Sequence, residues 1–409
     1  MVVYLEGFTF CFDAHKTPRG YVWVIETEKG FLGISSMANP VEYHYGQFPP
    51  QDIDWAKLIP YIGPASAALA RYDGLLSSIP NPAVLLSPLT TQEAVISSKI
   101  EGTQSTMGEI LEYEAEGASA GLTPEKEADI NEVLNYREAV WQAIEALREL
   151  PLCQRVIKKA QWTLLQGVRG QDKSPGEYRK VPNWIGPSGC TIDNARYVPI
   201  SADKLGEGMS NWEKYIHGQA PDKLIQLAIL HAEFEALHPF LDGNGRIGRM
   251  FVPLFLYKAG LIQGPIFYVS AYLEANRDEY YDRLLAVSRD GNWSDWCAFF
   301  LKTLKIQAED NHDKAKSVLD LYEAKKNQII KLTRSQYAIH SLDFIFERPI
   351  FRSSAFLNCR KIPKPTATRI LSVLRSEKIL KPLREARGRR SGVYAFSELL
   401  NIAEGKKVF

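Results

Sequence analysis

Twelve consecutive residues gather most of the reactive side chains that stand close together in this chain: His238-Pro239-Phe240-Leu241-Asp242-Gly243-Asn244-Gly245-Arg246-Ile247-Gly248-Arg249. An apolar helical run, 224–237, stops at His238-Pro239, because proline cannot extend a helix and biases the preceding residue away from it. Asp242-Gly243-Asn244-Gly245 then reads as a loop of residues that tolerate unusual backbone angles and expose N–H groups. A second apolar helix follows over 246–259. Backbone N–H groups aimed by a helix N-terminus make an anion cradle. Arg246 and Arg249, three apart, place two guanidinium forks on one face beside it. A phosphate chain is the natural guest. Asp242 suits the Mg²⁺ that a phosphate chain carries, since Mg²⁺ takes one or two carboxylates plus phosphate oxygens. His238, at the mouth of the loop, suits removal of a proton from an incoming hydroxyl.

At every specified position this segment resembles the Fic motif, H-x-F-x-D/E-G-N-G-R-x-x-R. The resemblance implies a helical domain that transfers AMP from ATP to a hydroxyl side chain of a target protein, with ATP as substrate and Mg²⁺ as cofactor. It implies His238 as general base and Asp242 as Mg²⁺ ligand. Gly243, Asn244 and Gly245 would surround the phosphates, Arg246 would bind the ATP phosphates and Arg249 the γ-phosphate, with Phe240 as a core anchor. Glycine at 245, where kinase-like relatives carry lysine, favours AMP transfer; phosphocholine transfer stays open.

A second segment is similar to the inhibitory motif of regulated Fic proteins, S/T-x-x-x-E-G/N. Thr90-Thr91-Gln92-Glu93 reads as a capping-box start, and the helix runs through Ser97 to Glu101, with Gly102 as its C-terminal cap. A carboxylate at a helix end can pair with an arginine fork. The resemblance implies that Glu101 occupies Arg249 and denies it to the γ-phosphate. Between residues 180 and 200, Gly, Pro and Asn interrupt two short β-prone pieces, a hairpin with arms at 180–185 and 196–200. It corresponds to the family's flap, which docks the target segment by β-strand addition. Residues 272–281 resemble the helix that lines the adenine pocket, and Tyr272 and Asn276, four apart, share a face there.

These segments need elements to position them. The chain has 409 residues and reads as mainly α: a helical Fic core with a β-hairpin flap, then a small winged helix-turn-helix domain. The expected division is 1–36, a short β hairpin or an over-extended start; 37–120, a helical region with the inhibitory helix; 121–324, the catalytic core; and 330–409, the winged helix. From Arg348 to Phe409 there are 15 Lys/Arg and 4 Asp/Glu, a net +11, leaving −10 on the rest of a chain whose total is +1. That basic end supports a second reading, a DNA-binding regulator whose Fic core senses nucleotide. Thr366, Thr368, Arg369 and Arg375 would lie on its recognition helix and Arg384, Arg387, Arg389 and Arg390 on its wing. A protein-contact or dimerisation role for the same fold stays open. So does a third reading, removal of AMP from targets with the same residues. The partners expected are a target hydroxyl or the chain itself, DNA through 330–409, and no membrane; a homodimer stays open. Five scattered cysteines without C-x-x-C argue against a disulfide framework or zinc site, and with no signal-like N-terminus point to the cytoplasm.

Overall fold

The computed structural model describes residues 2–5, 8–17, 20–27, 30–79, 81–116, 122–187, 189–387 and 390–407, with side chains from residue 39 on, residue 83 excepted. Four strands open the chain: β1 (Val2–Leu5), β2 (Phe8–Thr17), β3 (Gly20–Thr27) and β4 (Gly30–Ala38), an antiparallel meander in sequence order. The expected hairpin is its β2–β3 pair, flanked by β1 and β4. The Pro18-Arg19 turn itself lies outside the described residues. β5 (Val41–Glu42) follows.

The body is helical, in keeping with the 3.6-residue periodicity: α1 (Trp55–Ser78), α2 (Pro82–Leu85), α3 (Ser87–Ile100), α4 (Met107–Glu116), α5 (Pro124–Ala146) and α6 (Gln154–Leu164). β6 (Tyr197–Val198), α7 (Leu205–His217), α8 (Lys223–Leu237), α9 (Asn244–Lys258), α10 (Ser270–Ala275), α11 (Arg277–Asp290) and α12 (Trp293–Thr333) follow. α8 is the central post. It is buried on all sides, as a helix apolar around its whole circumference must be, with Gln226, His231 and Glu233 among its buried residues. Asp222 caps its start, accepting from Leu224 N at 2.8 Å and Ile225 N at 2.9 Å. Two buried indoles fasten its neighbours to it: Trp212 Nε1 donates to Leu230 O at 2.9 Å and Trp296 Nε1 to Ala228 O at 2.7 Å. α1 lies along the 41-residue α12. None of the described helices is long and apolar enough to cross a membrane.

The C-terminal unit comprises α13 (Ala338–Glu347), β7 (Ile350–Arg352), α14 (Ser353–Leu357), α15 (Lys364–Ser376), β8 (Lys381–Arg384), β9 (Val393–Ala395) and α16 (Ser397–Glu404). Its antiparallel sheet has the order β7-β9-β8. Ile350–Arg352, directly after Pro349, forms a strand because it finds β9 as a partner at long range.

Two local expectations are corrected. α3 starts at Ser87-Pro88, a turn before the expected capping box, since proline is favoured in a first helical turn. Its Glu93 carboxylate accepts from Ser270 N at 3.2 Å and Ser270 Oγ at 2.6 Å. The 180–200 segment is not a regular hairpin: its arms meet at one isolated antiparallel bridge, Ile185 to Tyr197. Pro182 removes a ladder donor from the first arm, and the second arm spends its other edge on parallel pairing with β5.

Candidate active site at the loop between α8 and α9

α8 ends on His238, whose backbone is left-handed (φ 45°, ψ 60°). That conformation is strained for a residue with a Cβ and persists only where surroundings enforce it. Arg179, 3% exposed, does the enforcing. Its Nε donates to His238 O at 3.0 Å and its Nη2 to Leu237 O at 3.3 Å, and Nη2 also reaches Ile200 O. A cation thus seals the negative end of α8 and aims the turn that carries His238. Burial pushes the His238 imidazole down to about 4, so it is neutral at physiological pH, and its Nδ1 is buried without a hydrogen-bond partner.

The loop that follows is closed by Asn244. Its Oδ1 accepts from Phe240 N and its Nδ2 donates to Phe240 O, both at 2.8 Å. This side chain is spent on loop closure; only its backbone is left for an anion. Gly243 (φ 82°) caps α9 in a conformation glycine supplies without strain. Gly245 faces the cavity, and a Cβ there would meet Glu101 Oε1 at 2.3 Å.

The two arginines, expected on one face, go to different partners. Arg246, 1% exposed, donates from Nη1 to Glu132 Oε2 at 3.0 Å and from Nη2 to Asp242 Oδ1 at 3.3 Å. It lies beneath the loop and does not line the cavity. Arg249 lies across the inhibitory helix: Nε donates to Ser97 Oγ at 3.0 Å, and Nη2 to Ser97 O at 2.8 Å and Glu101 Oε1 at 2.7 Å. Burial alone would raise the Glu101 carboxyl; Arg249, helped by Arg246 and His238, reverses this and holds it below the usual carboxylate range. Gly102 ends the helix at φ 106°, a conformation that favours glycine.

Glu101, Glu235, His238, Gly245 and Arg249 share one cavity of about 510 Å³, walled opposite by Ile185-Gly186-Pro187 and by Arg277, Tyr280 and Tyr281. The volume suits a nucleotide-sized ligand. Tyr272 and Asn276 are not brought to it. Helix α10 breaks at Asn276, whose Nδ2 turns back on Tyr272 O at 2.9 Å, so the register that reaches the cavity restarts in α11 with Arg277, Tyr280 and Tyr281. Arg179, Glu132 and Glu235 carry no local signal in the sequence. Burial pushes Glu235 up to about 7 although Arg249 pulls it down, and its Oε1 is buried without a partner.

Among the described residues no group of three or more His, Cys, Asp or Glu is placed to hold a metal ion. Asp242 stands alone and is engaged by Lys173 Nζ at 3.0 Å as well as by Arg246. The donor set fits Mg²⁺ that arrives with a phosphate chain, one carboxylate and phosphate oxygens, and does not fit a metal held by protein alone.

Residues 59–145 match the family model described as Fic/DOC family N-terminal, and residues 151–256 match the Fic/DOC family model. Fic/DOC family membership is thereby supported. The Fic fold is also that of a solved Fic family protein from Desulfovibrio desulfuricans, similar over 85% of this chain and 98% of that one, with a TM-score of 0.55 and 18% identity. A probable protein adenylyltransferase of Aquifex aeolicus is 28% identical over 112 residues, 27% of this chain and 34% of its own length. A Fido domain-containing protein of Dictyostelium discoideum is 39% identical over 61 residues, 15% of this chain and 38% of its own. The chain thus spans little more than a third of each of these two curated relatives. Glu101 and Glu132 lie in the first Fic/DOC segment and Arg249 and Arg246 in the second, so two buried-arginine ion pairs join the matched segments.

Proposed function

We propose that this chain transfers AMP from ATP to a Tyr, Thr or Ser hydroxyl of a target protein or of itself, and that Glu101 restrains it by occupying Arg249. The observation that carries the reading is that Glu101 reaches Arg249 at 2.7 Å directly above Gly245, in the same cavity as His238. A carboxylate there fills the place that a terminal phosphate would take.

With Glu101 withdrawn, the α9 N-terminus and the Gly243–Gly245 backbone cradle the phosphates, and Arg249 takes the γ-phosphate. Arg246, anchored by Glu132, adds fixed positive charge beneath the loop. Asp242 would hold Mg²⁺, which neutralises phosphate charge when bound. His238, already neutral, takes the proton of the attacking hydroxyl. The hydroxyl oxygen bonds the α-phosphorus as the bond to pyrophosphate breaks. The outer edge of residues 180–185, where Val181 and Trp184 are exposed, would align the target segment by strand addition.

The Glu101→Gly protein is expected to incorporate label from ATP labelled on the α-phosphate and none from ATP labelled on the γ-phosphate. γ-Label alone would make it a phosphotransferase. No label in either, with nucleotide binding intact, would favour AMP removal instead.

A second reading concerns residues 330–409. The four helices α13–α16 with a small antiparallel sheet, and exposed Arg360, Lys361, Lys364 and Lys378, support a winged helix that binds DNA. Its expected contacts need revision. Arg369 Nη1 donates to Thr333 O at 2.8 Å and Arg375 pairs with Glu385 at 3.2 Å, while Arg384 turns inward to Glu116 and the exposed Arg390 lies 3.7 Å from it. Arg389 lies outside the described residues.

A further inference from the structure

The C-terminal unit is packed on the segment that carries Glu101. α16 and α13 rest on α3, where Gln92 Nε2 donates to Glu404 Oε2 at 3.4 Å, and β7 rests on α4. The last residue of α4, Glu116, is gripped by three arginines of that unit. Arg384 Nη1 pairs with its carboxylate, Arg390 Nη2 lies 3.7 Å from it, and Arg352 Nη2 donates to its backbone oxygen. Glu116 is only 19% exposed, against 65% for Arg390. The grip is also unsaturated: Arg352 Nε and Arg384 Nε are buried donors with no hydrogen-bond partner. α3 ends at Ile100 and α4 begins at Met107, so only the five residues 102–106 separate Glu101 from α4.

We infer that Glu116 stands where a nucleic-acid phosphate would, so that duplex DNA and α4 compete for Arg352, Arg384 and Arg390, and DNA capture draws Glu101 off Arg249. Arg384 and Arg390 each approach a different oxygen of one carboxylate, and Arg352 adds a donor at the backbone oxygen beside it, a cluster of guanidinium groups of the kind that takes a phosphate. The exposed cations Arg360, Lys361 and Lys364 flank the start of α15, a helix with a free face beside the β8–β9 hairpin. Such a helix fits a duplex major groove and places the hairpin against the adjacent backbone. The carboxylate of α4 is then a stand-in that keeps the basic unit seated on the inhibitory segment when no duplex is present. The activity half of this inference rests on Glu101 being inhibitory; the competition half does not.

The test uses full-length wild type, Glu116→Ala, Glu116→Gln, Arg384→Ala/Arg390→Ala and Glu101→Gly, with a short duplex of random sequence. Binding is followed by anisotropy across a salt series, and transfer by α-labelled ATP. Removing the competing carboxylate is expected to tighten duplex binding roughly fivefold, the worth of a modest ion pair, and to raise label incorporation without DNA. Adding duplex raises incorporation by the wild type. The arginine double variant shows raised basal incorporation, no response to duplex and a log–log salt slope shallower by about 1.8, for two lost phosphate contacts. Equal duplex affinity for wild type and both Glu116 variants overturns the competition. Tight duplex binding with unchanged incorporation, while Glu101→Gly is active, overturns the coupling. Silence of Glu101→Gly instead removes the transferase reading and leaves the competition to be judged on affinity.

Discussion

Replacing Glu132 with alanine removes the carboxylate that compensates the buried Arg246 guanidinium. The two side chains are 2% and 1% exposed and 3.0 Å apart, and Arg246 Nε already lacks a partner. After the substitution only Asp242, at 3.3 Å and itself shared with Lys173, still faces the guanidinium. Breaking one side of a buried pair costs about 3–5 kcal/mol because the other charge is stranded. The remaining Asp242 contact places this case at the low end, about 3 kcal/mol. The 3.5 Å approach of Arg169 to Glu132 adds little, since Arg169 is 59% exposed. Burial raises the Glu132 carboxyl despite both arginines, which shows how costly the site is for charge. Replacing both partners by Met should therefore cost less than Glu132→Ala alone, with a coupling of about 2 kcal/mol in the double-mutant cycle. Urea denaturation measures both quantities. A single-variant loss below about 1 kcal/mol, or strictly additive effects, would refute the claim that this pair joins the two Fic/DOC segments.

Other expectations follow from the same geometry. In the Glu101→Gly protein the acid limb of the pH–rate profile should lie near 4 or lower rather than near 6.5, because losing the Glu101 charge removes a contribution that raises His238; an initial-rate profile from pH 4 to 8 reads this. The Glu235 carboxyl, raised from 4.5 to about 7, makes folding stability fall as pH climbs through that window and level off above it. Glu235→Gln should abolish that fall, a gain at pH 8 on the order of 2–3 kcal/mol at most, seen by comparing urea midpoints at pH 5 and 8. Asn244→Ala strands the N–H and C=O of Phe240 and should cost about 2–3 kcal/mol by denaturation, with transfer lost even in a folded sample. Gly245→Ala introduces a Cβ into the Glu101 position; added to Glu101→Gly it should remove the incorporation that the single variant shows, because the same Cβ obstructs the phosphate.

What could be read from the sequence was what is local. The helix–loop–helix around Asp242–Gly245 follows from proline, glycine and apolar periodicity within a few turns, and Gly102 ends α3 as glycine at a helix terminus does. The mainly helical architecture is equally local in origin. Partners far apart in the chain were not legible. Glu132 sits in a polar, amphipathic run and reads as a solvated glutamate; only the approach of α5 to α9 shows that it faces Arg246. Arg179 reads as a loop cation, yet it holds the end of α8. Tyr272 and Asn276 share a face only in a continuous helix, and the helix breaks at Asn276, before Tyr280. A count of basic residues sees eleven excess charges after residue 347. It does not see that Arg384 and Arg390 turn to a glutamate at 116.

The most direct test of the account compares wild type, Glu101→Gly and Glu101→Gly/His238→Ala for incorporation of label from ATP labelled on the α-phosphate. The account predicts low incorporation by the wild type, a strong rise on removing Glu101 and loss of that rise on removing His238. Equal incorporation by the wild type and the Glu101 variant, or incorporation that survives without His238, would contradict it.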